Sequence, residues 1–235
     1  MRMRDIAVVR PATKPSVAVA ALLAMAASLP AWCEDWVLNR HDVARDIEVY
    51  TRSTPGGGWE FRAVTHVRSR MSALVEVLRD AENMPNWLYR TPSVSVIEEV
   101  SETESYAHLI HDLPWPFSDR DSVVRVVLTQ DADNDTVTIR ADPAPDHYPQ
   151  DARYIRALRV ESFWRFTPLV DGRTRVEFHG ADFGGGNILL EKLRDYLGWI
   201  APYRTLSAFQ KAVSTPDYQS VQLPFVREPR IWSVP

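Results

Sequence analysis

Two segments in the second half of the chain alternate apolar and polar residues with a period of two, and this alternation constrains the fold most. They span residues 156–166 and 173–181. The side chains predicted to share an inward face are Leu158, Val160, Trp164 and Phe166 in the first segment and Val176 and Phe178 in the second. Arginine and glutamate residues recur on the other face. Strands with one polar face predict an antiparallel sheet that is covered on one side only.

The cover is predicted to be a long helix from Asn187 to about Val213. Asn187 is a favourable N-cap residue, and Pro202 should kink the helix. One apolar stripe runs along it, formed by Leu189, Leu193, Leu197, Ile200, Tyr203, Leu206, Phe209 and Val213. Because a helix with one apolar stripe buries that stripe, we expect it to pack against the covered face of the sheet.

The rest of the chain supplies further strands and one shorter helix. Apolar residues at helical spacing predict a helix over residues 71–81, which Pro85 should end. The predicted strands, of which the first two form a hairpin, are 46–51, 59–67, 93–100, 105–113, 121–129 and 136–141. The sequence therefore predicts an α+β fold, in which a curved antiparallel sheet wraps around a long C-terminal helix and encloses an internal hydrophobic cavity.

The N-terminal residues 1–33 have the pattern of a secretory signal peptide. Four basic residues and one acidic residue precede an apolar run over residues 17–29. This run is shorter than the roughly 20 residues that a membrane-spanning helix needs. Ala31 and Cys33 fit cleavage after Cys33, and cleavage after Ala31 is the alternative. Lipidation of Cys33, or a cytosolic protein with an apolar N-terminal helix, are two further hypotheses.

Removal of the signal would make the remaining domain strongly acidic. The full chain has a formal net charge of −4, and residues 1–33 contribute +3, so residues 34–235 carry −7. Nucleic acid is therefore not expected as a partner, because its binding depends on cationic neutralisation of phosphates. The single cysteine lies at the signal boundary, so the mature domain should hold no disulfide. We expect a monomer with a binding domain over residues 34–213 and a proline-rich tail over 214–235, either disordered or docked on the body.

The most distinctive string in the chain is HDLPWPFSDRD at residues 111–121. A strand ends there, a rigid proline loop presents two aromatic residues, and a charged cluster opens the next strand. This string resembles the signature of the START family, the lipid-transfer domains related to the steroidogenic acute regulatory protein. Matching pieces follow the family's order at Trp36, 49–50, 78–80, Trp87, Trp164, Pro168, 172–174 and 201–202. The resemblance covers roughly residues 36–213.

The resemblance implies a helix-grip fold of the START and Bet v 1 type, with a tunnel for one lipid-sized hydrophobic molecule. The loop 114–118 and the C-terminal helix would form its gate. The chain departs from the family's pattern at residues 182–186, which read DFGGG. Several sterol-binding members also carry an inward arginine on the strand that follows the loop. Here Val126 is the predicted inward residue, and Arg125 should point outward.

The residues expected to line the cavity and bind the ligand are Trp87, His108, Ile110, Trp164, Phe166, Leu197 and Ile200. For His108 the alternative is a histidine that is satisfied in the core or on the surface. Trp115 and Phe117 either anchor the proline loop on the domain or touch a membrane during loading. Arg120 and Asp121 are expected to fix the loop through ion pairs and hydrogen bonds, with ligand contact as the alternative.

No residue spacing typical of a metal site or of a hydrolase nucleophile occurs in the sequence. We therefore expect no metal, no cofactor and no catalytic residue. The alternative is a cyclase- or hydrolase-type enzyme that uses the same cavity, with His108 or Tyr106 as its base. Cyclases of the wider superfamily normally act in the cytosol beside their synthase, so the signal peptide argues against this alternative. A ligand sensor that acts through a partner protein is a third hypothesis.

Together these features predict a soluble, exported protein that binds one lipid or similar apolar molecule and transfers it. Transient contact with a membrane is expected during loading. In a Gram-negative source the compartment would be the periplasm, and in any other source the protein would be secreted.

Overall fold

A computed structural model of the chain describes residues 36–54, 58–181 and 196–230. The predicted signal segment 1–33 and the DFGGG segment 182–186 lie outside the described residues. So do Asn187, Leu189 and Leu193 of the predicted C-terminal helix.

The described residues form ten strands and three α-helices. The strands are β1 (Val37–Asp42), β2 (Ile47–Thr54), β3 (Gly58–Val67), β4 (Ser93–Ser101), β5 (Glu104–His111), β6 (Arg120–Gln130), β7 (Val137–Pro143), β8 (Ile155–Arg156), β9 (Glu161–Pro168) and β10 (Thr174–Ala181). The helices are α1 (Met71–Arg79), α2 (Ala201–Val213) and α3 (Pro216–Ser220). A π-helical turn, Tyr196–Ile200, directly precedes α2, and short 3-10 turns lie at Met84–Asn86 and Pro145–His147.

All ten strands belong to one curved sheet. Its order is β1-β2-β3-β10-β9-β7-β6-β5-β4, and β8 pairs with β6 outside this path. The neighbours along the path are antiparallel, whereas β8 and β6 are parallel. The predicted α+β class, with a curved antiparallel sheet and a C-terminal helix, is confirmed.

Helix α2 covers one face of the sheet through a cluster of large aromatic side chains. Phe209 of α2 is completely buried, and its ring centroid lies 4.9 Å from Trp164, 5.5 Å from Trp87 and 6.2 Å from Phe166. Aromatic side chains each bury a large apolar area and gain further from ring contacts. This cluster therefore fixes α2 over β9 and beside the chain that follows α1.

Helix α1 ends at Arg79, well before the proline that the sequence suggested as its end. The Asp80 carboxylate accepts a hydrogen bond from the backbone N–H of Asn83 at 3.1 Å. Such a local side-chain bond offers the backbone an alternative to the helix. The prediction that Pro85 ends the helix is therefore wrong, and Pro85 lies in the following 3-10 turn.

The strand predicted over residues 156–166 is interrupted. The short strand β8 runs along β6, and β9 begins only at Glu161. The cause is Arg156, which is buried and donates hydrogen bonds to Asp121 and to three backbone carbonyl groups. This anchor holds the chain on β6 before it crosses to β9. Leu158, which was predicted to face inward, is consequently 64% exposed.

The C-terminal segment 214–230 packs against the domain. Tyr218 is buried in the hydrophobic core. The Glu228 carboxylate accepts hydrogen bonds from the backbone N–H groups of Met71, at 2.7 Å, and Ser72, at 3.0 Å. These groups start α1, whose N-cap residue makes no side-chain capping bond. Of the two states expected for the tail, the structure shows the docked one for these residues.

Candidate functional site

A cavity of about 230 Å³ lies between the sheet and the first turn of α2. The first turn of α2 contributes Ala201, Pro202 and Thr205. The apolar residues that line the cavity from the sheet are Phe61, Val94, Ala107, Leu109, Val124, Val126, Ile139, Ala141, Trp164 and Phe178. The segment between α1 and β4 closes another side with Met84, Trp87 and Leu88. A concave space with a largely apolar lining is typical of a small-molecule site.

Two buried tryptophans form part of the lining. The rings of Trp87 and Trp164 meet edge to face, with centroids 5.9 Å apart and an interplanar angle of 84°. Trp164 also stacks on Phe178, with centroids 4.3 Å apart. Residue 87 follows the 3-10 turn after α1, and residue 164 is held by β9. Because these rings are fixed by neighbouring rings, this side of the cavity is preformed.

The cavity has one polar end, formed where β5 ends and β6 begins. Arg120 and His111 are cross-strand partners, and Ser122 follows two residues along β6. The Nε2 atom of His111 lies 2.8 Å from Ser122 Oγ, and its Nδ1 atom lies 3.4 Å from Thr91 Oγ1. Burial lowers the pKa of His111 to about 4. The imidazole is therefore neutral at neutral pH and bridges two hydroxyl groups.

The opposite face of the same two strands carries a buried ionic network. Asp121 is completely buried, and its Oδ2 atom accepts a hydrogen bond from Arg156 Nε at 2.9 Å. Arg156 Nη2 lies 2.8 Å from the same oxygen and completes the ion pair. The same oxygen lies 3.0 Å from His108 Nε2, and the Tyr148 ring covers that imidazole. Burial opposes ionisation of Asp121, but the hydrogen bonds from Arg156 and His108 lower the pKa of its carboxyl below the usual value. The network fixes the segment 145–149, whose backbone carbonyls also accept bonds from Arg156.

The structure brings only part of the predicted ligand-binding set together. Trp87 and Trp164 line the cavity. Phe166 lies in the core instead, completely buried and stacked on Phe209. The expectation that Phe166 lines the cavity is wrong, because α2 packs directly on that part of β9.

The placement of Ile200 also differs from the prediction. Ile200 is part-buried but does not line the cavity. It ends the π-helical turn Tyr196–Ile200, and such a turn contains more residues than an α-helical turn. The extra residue in the turn rotates the side chains that follow it around the helix axis. The first turn of α2 therefore borders the cavity instead of Ile200. The side chain of Leu197 lies outside the described part of the structure.

The alternation of β5 runs opposite to the predicted phase. The residues of β5 that line the cavity are Ala107, Leu109 and His111. His108 and Ile110, which were expected there, lie on the other face of the strand, because successive side chains of a strand point to opposite faces. Sequence reasoning therefore missed His111. A signal was available, since His111 lies beside the proline loop at the end of the strand.

The proline loop leaves one aromatic side chain in solvent. Trp115 is 92% exposed, whereas Phe117 is part-buried. The loop is held internally, since Asp119 Oδ1 accepts a hydrogen bond from the N–H of Leu113 at 3.1 Å and the N–H of Phe117 donates to Pro114 O at 3.1 Å. Trp115 therefore does not anchor the loop on the domain.

The side chains of β6 after the Arg120–Asp121 pair point to the faces of the sheet that the sequence predicts. Val126 lines the cavity. Arg125 is exposed on the other face, where its Nε atom donates a hydrogen bond to Glu104 at 2.8 Å. At this position the cavity has an apolar wall rather than a guanidinium.

Residues 36–54, 58–181 and 196–230 contain neither a candidate metal site nor a helix that could span a membrane. In this part of the chain no three His, Cys, Asp or Glu side chains are grouped so that they could hold a metal ion. The described helices also include none with the length and apolar character needed to cross a membrane.

The chain is similar to known proteins over most of its length. It matches the model of the START domain over residues 16–179. It is 25% identical over 161 residues to the uncharacterized protein PA1579 of Pseudomonas aeruginosa, a match that covers 67% of this chain and 77% of that protein.

Solved structures share the fold. A STAR-related lipid transfer protein fragment from Xanthomonas axonopodis superposes with a TM-score of 0.69 at 26% identity, covering 77% of this chain and 100% of that one. Human StAR-related lipid transfer protein 5 superposes with a TM-score of 0.62 at 17% identity, covering 76% of this chain and 86% of that one. The resemblance drawn from the string at residues 111–121 is confirmed. Because the family model matches more than half of the chain, this protein belongs to the START domain family.

Proposed function

We propose that the protein binds one lipid or similar apolar molecule in its cavity and carries it between membranes outside the cytoplasm. The observation that carries this proposal is the cavity of about 230 Å³ with its mostly apolar lining. Burial of an acyl chain contributes about 0.8 kcal/mol for each CH₂ group, so an apolar cavity binds such a chain without further chemistry. The similarity to the Xanthomonas neighbour, a STAR-related lipid transfer protein, supports the same function.

Export and membrane contact are parts of the same proposal. The signal-peptide pattern of residues 1–33 supports a location outside the cytoplasm, which is the periplasm if the source is Gram-negative. An apolar molecule needs a carrier in such an aqueous compartment. The 92% exposure of Trp115 supports transient contact with a membrane, because tryptophan favours the interface between lipid and water. We propose that the carrier acts as a monomer.

One observation favours an enzymatic alternative, but its chemistry is weak. The 2.8 Å distance between Ser122 Oγ and His111 Nε2 is typical of a nucleophile and its base. However, with a pKa of about 4 His111 is a poor base near neutral pH. Its other nitrogen contacts the Thr91 hydroxyl rather than a carboxylate. His108, the base considered from the sequence, lies outside the cavity. These features favour binding over a cyclase or hydrolase reaction.

The test combines native mass spectrometry with lipid uptake from labelled vesicles, using the protein as it is purified from its own host. The variant Ala141→Phe places a ring in the cavity, whereas Thr129→Phe places the same ring on an exposed position of β6. We expect the wild type and Thr129→Phe to carry a ligand and take up lipid, and Ala141→Phe to lose most of the uptake. Absence of any bound molecule and of any uptake by the wild type would refute the carrier function.

The molecule that is bound to the purified protein also distinguishes the carrier hypothesis from the enzyme hypothesis. The ligand is extracted from the protein, added back and incubated with it. It is then extracted again, and its molecular mass is measured by mass spectrometry. A carrier returns the molecule unchanged. A product of different mass, formed by the wild type and absent with His111→Gln, would support the enzyme instead.

A further inference from the structure

The polar end of the cavity contains a charge that apolar binding does not explain. Arg120 lines the cavity, and among the described residues no side chain forms an ion pair or hydrogen bond with its guanidinium. Arg120 is part-buried, and a guanidinium that is partly removed from water at an apolar surface gains stabilisation from an anionic partner. We infer that Arg120, with Ser122, binds the anionic oxygen headgroup of a single-chain amphiphile, either a carboxylate or a phosphate. This inference rests on the proposed carrier function.

The charges around the cavity favour one negative charge on the ligand. Among the described residues, the charged ones that line the cavity are Arg90, Asp112 and Arg120. Arg90 and Asp112 form an ion pair at 3.0 Å, and His111 is neutral. The described part of the lining therefore carries a net charge of +1, which a monoanionic headgroup neutralises. This local positive charge stands within an acidic chain of net charge −4.

The hydrogen-bonding groups at this end also suit an oxyanion. The planar fork of an arginine donates two parallel hydrogen bonds to a carboxylate or phosphate. In the His111 tautomer with its proton on Nε2, the ring donates to Ser122 Oγ. The Ser122 hydroxyl can then donate its own proton to a ligand oxygen. Thr91 completes the chain as the donor to Nδ1. The arrangement therefore offers up to three donors to one headgroup.

The size of the cavity favours one acyl chain over two. Its volume of about 230 Å³ lies below the range of roughly 300–1,000 Å³ that is typical of pockets for drug-sized ligands. From Arg120 the lining continues through Val124 and Val126 along β6, all of which border the cavity. A headgroup at Arg120 would thus place its chain along an apolar wall that leads toward the tryptophans.

The experiment compares three ligands that share a dodecyl chain: dodecanoate, dodecyl phosphate and the neutral methyl dodecanoate. Affinities for the full-length protein are measured by titration calorimetry at neutral pH. We expect at least one anion to bind about 10- to 100-fold more tightly than the ester, the range expected for hydrogen bonds to a charged group. The anion that shows the preference identifies the headgroup as carboxylate or phosphate.

Three variants on the same strand test whether Arg120 causes the preference. Arg120→Gln should bind the ester as the wild type does and lose the preference for the anion. Arg125→Gln removes the same charge from the opposite face and should keep the preference. Arg120→Lys, which keeps the charge without the fork, should retain part of it. The ratio of anion to ester affinity is measured within each variant, so a change in stability does not imitate the effect.

The outcomes separate this inference from the function on which it rests. If the wild type binds the ester as tightly as both anions, or if Arg120→Gln keeps the preference, the headgroup site is refuted while the carrier function stands. If the wild type binds none of the three ligands, the carrier function itself fails for single-chain amphiphiles.

Discussion

The neutral state of His111 predicts a specific dependence of stability on pH. Burial lowers the pKa of this imidazole from its ordinary value of 6.5 to about 4 in the folded protein. In the unfolded chain the ring regains its ordinary value. Below pH 6.5 the unfolded chain therefore binds a proton that the folded protein does not take up until about pH 4. Since the folded pKa is the lower one, the stability from this group is complete above pH 6.5 and is lost as the pH falls toward 4.

The magnitude follows from the size of this shift. One proton bound only by the unfolded state changes the free energy of unfolding by about 1.4 kcal/mol for each pH unit. Over the window from pH 6.5 to about 4, the loss amounts to about 3 kcal/mol. His111 lines the cavity and is part-buried. Solvent around a part-buried ring screens part of this effect, so about 3 kcal/mol is its upper bound.

The perturbation that tests this is His111→Gln, because glutamine does not titrate and keeps a polar group near Ser122. Urea unfolding followed by tryptophan fluorescence gives the free energy of unfolding from pH 7 to pH 4.5. We expect the advantage of the wild type over the variant to shrink by about 2 to 3 kcal/mol over this range. His179, whose pKa burial also lowers, contributes equally to both proteins and cancels. Parallel pH curves for the two proteins would refute the neutral His111.

Three further changes test the network, the tail and the loop. Arg156→Met should destabilise the domain by about 3–5 kcal/mol, since it removes the guanidinium from a buried carboxylate and leaves only the His108 contact. The exposed Arg153→Met should cost less than about 1 kcal/mol, and equal effects of the two variants in urea unfolding would contradict this. Glu228→Gln weakens the acceptor at the start of α1 and should cost about 1 kcal/mol, so an unchanged unfolding midpoint would count against the cap. Trp115→Ala should slow lipid transfer from vesicles without changing the melting temperature. Val170→Ala, at an equally exposed position, should change neither quantity. Equal transfer rates for Trp115→Ala and the wild type would argue against membrane contact.

The regular elements could be predicted because their signals are local. The alternation in residues 173–181 and the apolar stripe of α2 are each visible within a short window of sequence. The break between β8 and β9 was not visible in this way. It arises from the bond between Arg156 and Asp121, which are 35 residues apart. A charged residue within an alternating segment looks like a solvated position until its distant partner is known.

The candidate site was predicted less well, because its composition depends on strand register. Val126 was correctly assigned to the cavity side from the apolar alternation of β6. The phase of β5 was not, since both of its faces carry a histidine and an apolar residue, as His108 and His111 illustrate. The pairing of His111 with Arg120 decides the phase. That pairing depends on how the loop 112–119 closes, which residue types alone do not determine.

The register also gives different roles to two adjoining residues at the end of the HDLPWPFSDRD string. Arg120 and Asp121 are neighbours on β6, so their side chains point to opposite faces of the sheet. Arg120 reaches the cavity, while Asp121 is bonded to Arg156 on the other face. A substitution at Asp121 should therefore act on folding, through the buried network. A substitution at Arg120 should act on the ligand, because this side chain supports no other described side chain. The same two residues, which appear in the sequence as one charged cluster, are thus expected to give opposite patterns of stability and binding.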